Sequence, residues 1–257
     1  MRRLLRRFIP LALVLAGLAT VAGCRALRSA AAPALRIGTV ADSPPLAFRQ
    51  GRRWCGVEAD LGRAFAARLG MKPVFVACAP DHLEDALLEG QVDVLMAGLA
   101  LTEERRVRMD FAAPYLVVGQ AALIRAADLP RYNTAIKIRS TRARVGVVAG
   151  SPGDRFVSRY FVHAARVPFP AAEEAAAALR AGKIDLLIHD APAAWWLSLR
   201  HEPALALAPA LFAREEVAWA FRRSSVALRE SANQALADWQ KDGTLETVLR
   251  RWMPVSP

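Results

Sequence analysis

At 257 residues the chain exceeds one typical globular unit of roughly 100 to 150 residues and falls short of three, so two lobes are expected. Hydrophobic residues make up 54% and charge is spread along the chain, which excludes a disordered polyelectrolyte and supplies apolar material for packed cores. The formal net charge of +11 would suit nucleic acid, but the arginines are scattered and no basic stripe carries interleaved aromatics, so no nucleic-acid partner is expected. Lysine is confined to Lys72, Lys137, Lys183 and Lys241, and the excess of arginine and alanine reads as GC-rich coding.

Arg2, Arg3, Arg6 and Arg7 precede a mostly apolar run over 8–22 and then Gly23-Cys24, the grammar of an export signal over residues 1–23. The run is shorter than the roughly 20 residues a membrane span needs and contains Pro10, so cleavage is expected rather than spanning. Val21-Ala22-Gly23-Cys24 resembles the bacterial lipobox, which implies lipidation of Cys24; several acyl chains at about 0.8 kcal/mol per buried methylene would hold the protein on a bilayer. The alternative is ordinary cleavage near Ala32. Removal of the four arginines takes the charge from +11 to +7.

Residues 24–34 read as the lipidated cysteine and a tether, and the fold is expected to start near Leu35. Strand patterns at 36–40, 73–78 and 92–97 alternate with helical spacing at 57–69 and 81–89, which argues for an α/β sheet. Thr102-Glu103-Glu104 opens a helical turn, and 115–125 is a long apolar strand expected to cross between lobes. A second set repeats the order, with strands at 143–149, 166–169 and 184–189 and helices at 151–161, 171–181 and 193–199. The chain returns as a strand at 217–221 and a helix at 226–252, interrupted by Gly243. Cys55 and Cys78 fall at neighbouring ends of a strand and a helix in an exported chain, so the reading leaves open a disulfide or two separate half-buried thiols.

Four stretches carry a resemblance: Gly56-Val57-Glu58-Ala59-Asp60-Leu61; Leu88-Glu89-Gly90-Gln91-Val92-Asp93 leading to Thr102-Glu103-Glu104-Arg105 and Asp110-Phe111-Ala112-Ala113-Pro114-Tyr115; Gly182-Lys183-Ile184-Asp185 to Asp190; and Asp242-Gly243-Thr244-Leu245. In register, they resemble the extracellular solute-binding proteins of family 3, receptors of polar amino-acid uptake, over roughly 35–253. The resemblance implies a two-lobed, type II periplasmic-binding-protein-like α/β fold. Its ligand cleft would lie between lobes joined by two hinge strands that close around the ligand. Lobe 1 would comprise 35–120 and the returning 216–257, and lobe 2 would comprise 121–215. It also implies a monomer at the periplasm or cell surface that delivers a small amino-acid-like solute to an inner-membrane ABC permease, with no cofactor and no metal.

A zwitterion removed from water needs a cation for its carboxylate and an anion for its ammonium. Arg105 falls at the family's carboxylate-binding arginine, where a planar guanidinium can pair bidentately, or it is a solvated helix residue beside Arg106 and Arg108. Asp190 falls at the ammonium-binding carboxylate, or caps the helix that begins at Ala191-Pro192. Ser151 falls where a loop and helix N-terminus meet the ligand carboxylate, and its other reading is a helix cap. Pro152 departs from the family's hydroxyl residue there and offers no amide donor. Gly98 and Ala100 stand where hydroxyl or backbone contacts are expected. Asp42 and Ser43 occupy the loop that selects the ligand side chain; the usual aromatic wall is missing there, and Trp54 or Phe48 is the candidate replacement.

No catalytic constellation assembles. His82, His163, His189 and His201 are single, no Gly-x-Ser-x-Gly elbow or paired-histidine helix occurs, and strand alternation turns His189 away from Asp190. Two other classes use the same fold: cyclohexadienyl or arogenate dehydratases, which need a further cleft acid, and sensory modules such as the front half of lytic transglycosylases. The sequence from the last helix to Pro257 leaves no room for a transglycosylase or kinase domain, so a sensory role would need a separate partner.

Overall fold

The computed structural model describes residues 32–253, and every element in it belongs to the compact unit Ala34–Pro257; the export segment and Cys24 lie outside the described residues. β1 (Ala34–Thr39) buries Leu35 and Ile37 on one face, while Gly38 on the other comes so close to Val92 and Leu95 that a Cβ would collide. A three-stranded hairpin sheet follows, β2 (Asp42–Ser43), β3 (Ala47–Gln50) and β4 (Arg53–Cys55). Helix α1 (Val57–Arg68) leads to β5 (Lys72–Ala77), a 3-10 turn (Pro80–His82), α2 (Leu83–Leu88), β6 (Val94–Leu95), α3 (Glu103–Arg108) and β7 (Asp110–Phe111).

β8 (Leu116–Arg125) carries the chain into a second set of elements. These are a 3-10 turn (Ala126–Asp128), α4 (Ala135–Arg139), β9 (Arg144–Val148), α5 (Pro152–Tyr160), β10 (Ala165–Phe169), α6 (Ala172–Arg180), β11 (Leu186–Asp190) and α7 (Ala191–Arg200). β12 (Leu205–Val217) runs back, and β13 (Ala220–Phe221), α8 (Val226–Asp242) and α9 (Thr244–Trp252) end the described chain. The strands form two five-stranded mixed sheets, ordered β5-β1-β6-β13-β7 and β10-β9-β11-β8-β12. Because β13 inserts between β6 and β7, the first lobe is closed by the returning chain.

Each sheet is covered on both faces. In the first lobe, Leu35, Ile37, Phe65, Trp219 and Trp239 pack under α1 and α8, and Leu83, Leu87, Val92 and Leu95 pack under α2. In the second, Val145, Val147, Leu186 and Ile188 face α5, and Leu187 faces the alanines of α6. Near-continuous apolar strands are what a doubly covered parallel sheet requires.

The two lobes share one fastening. In the first, Arg36 chelates Asp93, with Nε to Oδ2 at 3.1 Å and Nη2 to Oδ1 at 2.6 Å, and Nη1 donates to Gly90 O at 2.7 Å. In the second, Arg144 chelates Asp185, with Nε to Oδ2 at 3.1 Å and Nη2 to Oδ1 at 2.8 Å, and Nη2 donates to Gly182 O at 2.9 Å. Each staple ties a strand to the turn before its parallel neighbour, β1 to the turn before β6 and β9 to the turn before β11.

β8 and β12 pair antiparallel from Leu205 opposite Arg125 to Val217 opposite Leu116. Their far ends join the first lobe through Tyr115 N to Val217 O at 3.1 Å, Leu101 N to Glu216 O at 2.8 Å and Ala218 N to Leu99 O at 3.1 Å. The strand expected at 217–221 misses most of β12, whose Pro209 and irregular register break strand alternation. An edge strand tolerates both: register shifts fall between Leu207 and Leu211 and between Phe212 and Glu215, and Ala213 takes φ 46°. The hairpin sheet is also missed, its strands being two to four residues long.

Cys55 and Cys78 are both free thiols. Cys55 is buried at the end of the hairpin, 3.9 Å from Gln50 Oε1, while Cys78 follows β5 and packs against the separate cluster around Leu83 and Leu87.

Candidate functional site

Thr102 caps α3, its hydroxyl accepting from Arg105 N at 3.3 Å, and so sets where Arg105 leaves the helix. The guanidinium is then fixed from two sides: Nε donates to Glu84 Oε1 at 3.1 Å and Nη1 to Ala100 O at 2.9 Å. Arg108 holds Glu84 in turn at 2.7 Å. Nη2 of Arg105 makes no hydrogen bond among the described residues, and the side chain faces a cavity of about 190 Å³. Ser43, Gly98 and Ala100 form its first-lobe wall; Pro152 and Asp190 stand across from them, with Gln120 and Glu215 on the two crossing strands.

The loop at Gly98 is held by a buried charge. Glu58, 1% exposed, accepts from Gly98 N at 2.7 Å, Tyr115 OH at 2.6 Å and Trp219 Nε1 at 3.1 Å. Burial pushes its carboxyl above the ordinary glutamate value, and the three hydrogen bonds only partly offset this. Gly98 takes φ +64°, the left-handed region, so it can turn its N–H to Glu58 where a side chain would strain. That N–H is therefore occupied, as is the Ala100 carbonyl that accepts from Arg105.

Asp190 ends β11 and caps α7 without a side-chain cap hydrogen bond, which leaves its carboxylate free to face the cleft. His189 Nδ1 accepts from Asp190 N at 2.7 Å and lies 3.2 Å from Asp190 Oδ1. The strand ends at this point, so alternation does not separate the two side chains, and the expectation that His189 turns away is corrected. Burial raises the Asp190 carboxyl, but the charge and hydrogen bond of His189 outweigh it and leave it below the usual value. Burial likewise lowers His189, and Asp190 raises it overall above an ordinary histidine.

A second, larger cavity of about 580 Å³ shares Ser43 and Asp190 with the first and extends past Asp42, Pro44 and Pro80 on one lobe and His189, Trp196 and Arg200 on the other. Arg105, Asp190, Gly98, Ala100 and Asp42 are thus gathered along one interlobe space. Two expected residues are not. The Ser151 hydroxyl accepts from Asp154 N at 3.1 Å as the cap of α5, and Pro152, not Ser151, lines the cavity. Trp54 packs on Phe75 with ring centroids 5.8 Å apart and under Arg49, and lines neither cavity. The aromatic wall is instead Trp196, which Phe48 meets at 5.4 Å.

Gln120, Glu215 and Trp196 escape sequence reasoning. Gln120 and Glu215 sit on the crossing strands, where period-2 patterning hides which face meets the cleft, and Trp196 lies in the helix expected at 193–199, whose apolar spacing does not mark a cleft residue. Glu58 stands in a quoted motif, and its role needs the fold. Among the described residues, no group of three His, Cys, Asp or Glu side chains could hold a metal, and no helix is long and apolar enough to cross a membrane.

Comparison with known proteins agrees with this architecture. Residues 35–255 match the family of bacterial extracellular solute-binding proteins, family 3. The L-cystine-binding protein of Escherichia coli strain K12 is 26% identical over 219 residues, covering 85% of this chain and 82% of its own length. The membrane-bound lytic murein transglycosylase F of Cronobacter sakazakii is 31% identical over 229 residues, 85% of this chain but 43% of that protein. The solved structure of an ancestral cationic amino acid solute-binding protein superposes with a TM-score of 0.79 at 27% identity, covering 85% of this chain and 95% of that one. The chain belongs to the bacterial extracellular solute-binding proteins, family 3.

Proposed function

We propose that the chain captures a free amino acid or close analogue in the interlobe cleft and delivers it to an ABC permease. The observation that supports this most is that Arg105 on α3 and Asp190 at the end of β11, 85 positions apart in the chain, line one cavity. Arg105 Nη2 would take the ligand carboxylate and Asp190 the ligand ammonium, with Gly98, Ala100 and Asp42 shaping the space between. Lobe 1 is assigned 35–120 and 216–257 and lobe 2 121–215, with β8 and β12 as the hinge. The dehydratase alternative is not favoured, since the relatives matched across most of their length are binding proteins.

The same reading makes the protein a monomer exported by residues 1–23 and anchored at the periplasm or cell surface through lipidated Cys24. Cys24→Ala should release it from membranes and abolish incorporation of labelled palmitate; retention of both would sink the anchor. For the ligand, a thermal-shift screen of the full chain against free amino acids, L-cystine and small peptides should give a dose-dependent rise with at least one amino-acid class. Silence across the screen would contradict the assignment.

A further inference from the structure

The charge of the cleft runs against that of the molecule. The chain carries 35 Lys and Arg against 24 Asp and Glu, yet its two contiguous cavities are faced by the guanidiniums of Arg105 and Arg200 and by four carboxylates, Asp42, Glu173, Asp190 and Glu215. Both guanidiniums are already paired, Arg105 with Glu84 at 3.1 Å and Arg200 with Glu173 at 2.9 Å. Asp42 and Glu215, both exposed to water, have no cation partner among the described residues. A zwitterionic head pairing with Arg105 and Asp190 is neutral as a whole and leaves those two carboxylates uncompensated.

A second observation points to a ligand at the same place. Gln120 is 4% exposed, its Oε1 is buried with no hydrogen-bond partner, and the side chain lines the smaller cavity beside Asp190 and Glu215. A buried acceptor left unsatisfied is uncommon in a native protein and costs free energy until a donor reaches it. Gln120 and Glu215 sit on the two crossing strands, β8 and β12.

We propose that the cleft selects a ligand with net positive charge, an α-amino acid with a cationic, donor-rich side chain. Glu215 and Gln120 are the selecting groups on the hinge, and Asp42 is the selecting group at the far end. The inference rests on the amino-acid reading of the cleft. The walls of the larger cavity, Pro44, Pro80 and Trp196, leave room for a long side chain between the zwitterion site and Asp42.

L-arginine and L-citrulline have nearly the same shape and differ by one charge, so isothermal titration of the full chain with each, at pH 8 and low salt, isolates the charge. Arginine should bind at least tenfold tighter than citrulline. Raising the salt should narrow the ratio. Glu215→Gln, with folding checked by thermal unfolding, should reduce it severalfold, and Gln120→Leu should weaken arginine. Equal or tighter binding of citrulline, or preference for L-glutamate or L-glutamine in the same assay, would overturn the inference and leave the amino-acid reading standing. No heat with any of these on a folded protein would remove both.

Discussion

Glu58 positions the cleft without entering it. Its carboxylate collects three donors from three segments, so Glu58→Ala leaves Gly98 N–H, Tyr115 OH and the Trp219 indole N–H without an acceptor in a dry core. A loss of about 3–5 kcal/mol is expected in urea unfolding, with Glu58→Gln losing less because one acceptor remains. A variant within about 0.5 kcal/mol of wild type would show that the network carries no stability. His189 gives the binding a pH dependence whose sign follows from its partner. Protonated, its Nδ1 exchanges the Asp190 N–H it accepts at 2.7 Å for the Asp190 carboxylate 3.2 Å away, so it favours the empty fold below the unfolded histidine value of about 6.5, an effect lost as pH rises through the raised folded value. The ligand ammonium competes for the same carboxylate. Affinity should therefore fall as pH drops from 8 toward 5.5, by at most about tenfold per pH unit, and His189→Gln should flatten the profile in titrations across that range. An affinity that rises on acidification would contradict this placement of the ammonium.

At the scale of elements, the staples Arg36–Asp93 and Arg144–Asp185 do for each lobe what a disulfide does for smaller domains, fixing the strand that leads to the cleft. Arg144, by hydrogen bond and charge, holds the Asp185 carboxyl at about 2. A depressed carboxyl stabilises the fold above the unfolded value of about 3.9, and that contribution is lost as pH falls toward 2. Because Arg144 is about half exposed, Asp185→Asn should cost only about 1–2 kcal/mol at neutral pH and should shift acid unfolding upward, as circular dichroism across pH 2–5 would record. These elements are also where the sequence is most legible. Arg36-Ile37-Gly38 recurs as Arg144-Val145-Gly146, and Gly90-x-x-Asp93 recurs as Gly182-x-x-Asp185, so the repeat visible in the order of strands and helices extends to the residues that fasten them. β12 and the hairpin were illegible for a physical reason: an edge strand with bulges and strands of two to four residues owe their form to neighbours rather than to their own periodicity.

For the whole molecule, two lobes could be expected from length and alternation, and Arg105, Asp190, Gly98, Ala100 and Asp42 could be placed in one cleft through motif positions. What the chain alone could not supply was the third dimension of the hinge, which brings Gln120 and Glu215 inward, gives the wall to Trp196 rather than Trp54, and keeps Ser151 occupied with its own helix. Phe48 and Trp196 meet across the lobes, so Trp196→Ala should loosen the closed form and weaken ligand binding several-fold. The ligand-induced drop in radius of gyration, measured by small-angle scattering, should become smaller. The most direct test of the central claim is titration calorimetry of the ligand found by screening against wild type, Arg105→Ala and Asp190→Asn. Each variant should remain folded and lose about 2–5 kcal/mol of binding free energy. Binding of undiminished affinity in either variant would place the ligand outside this cleft.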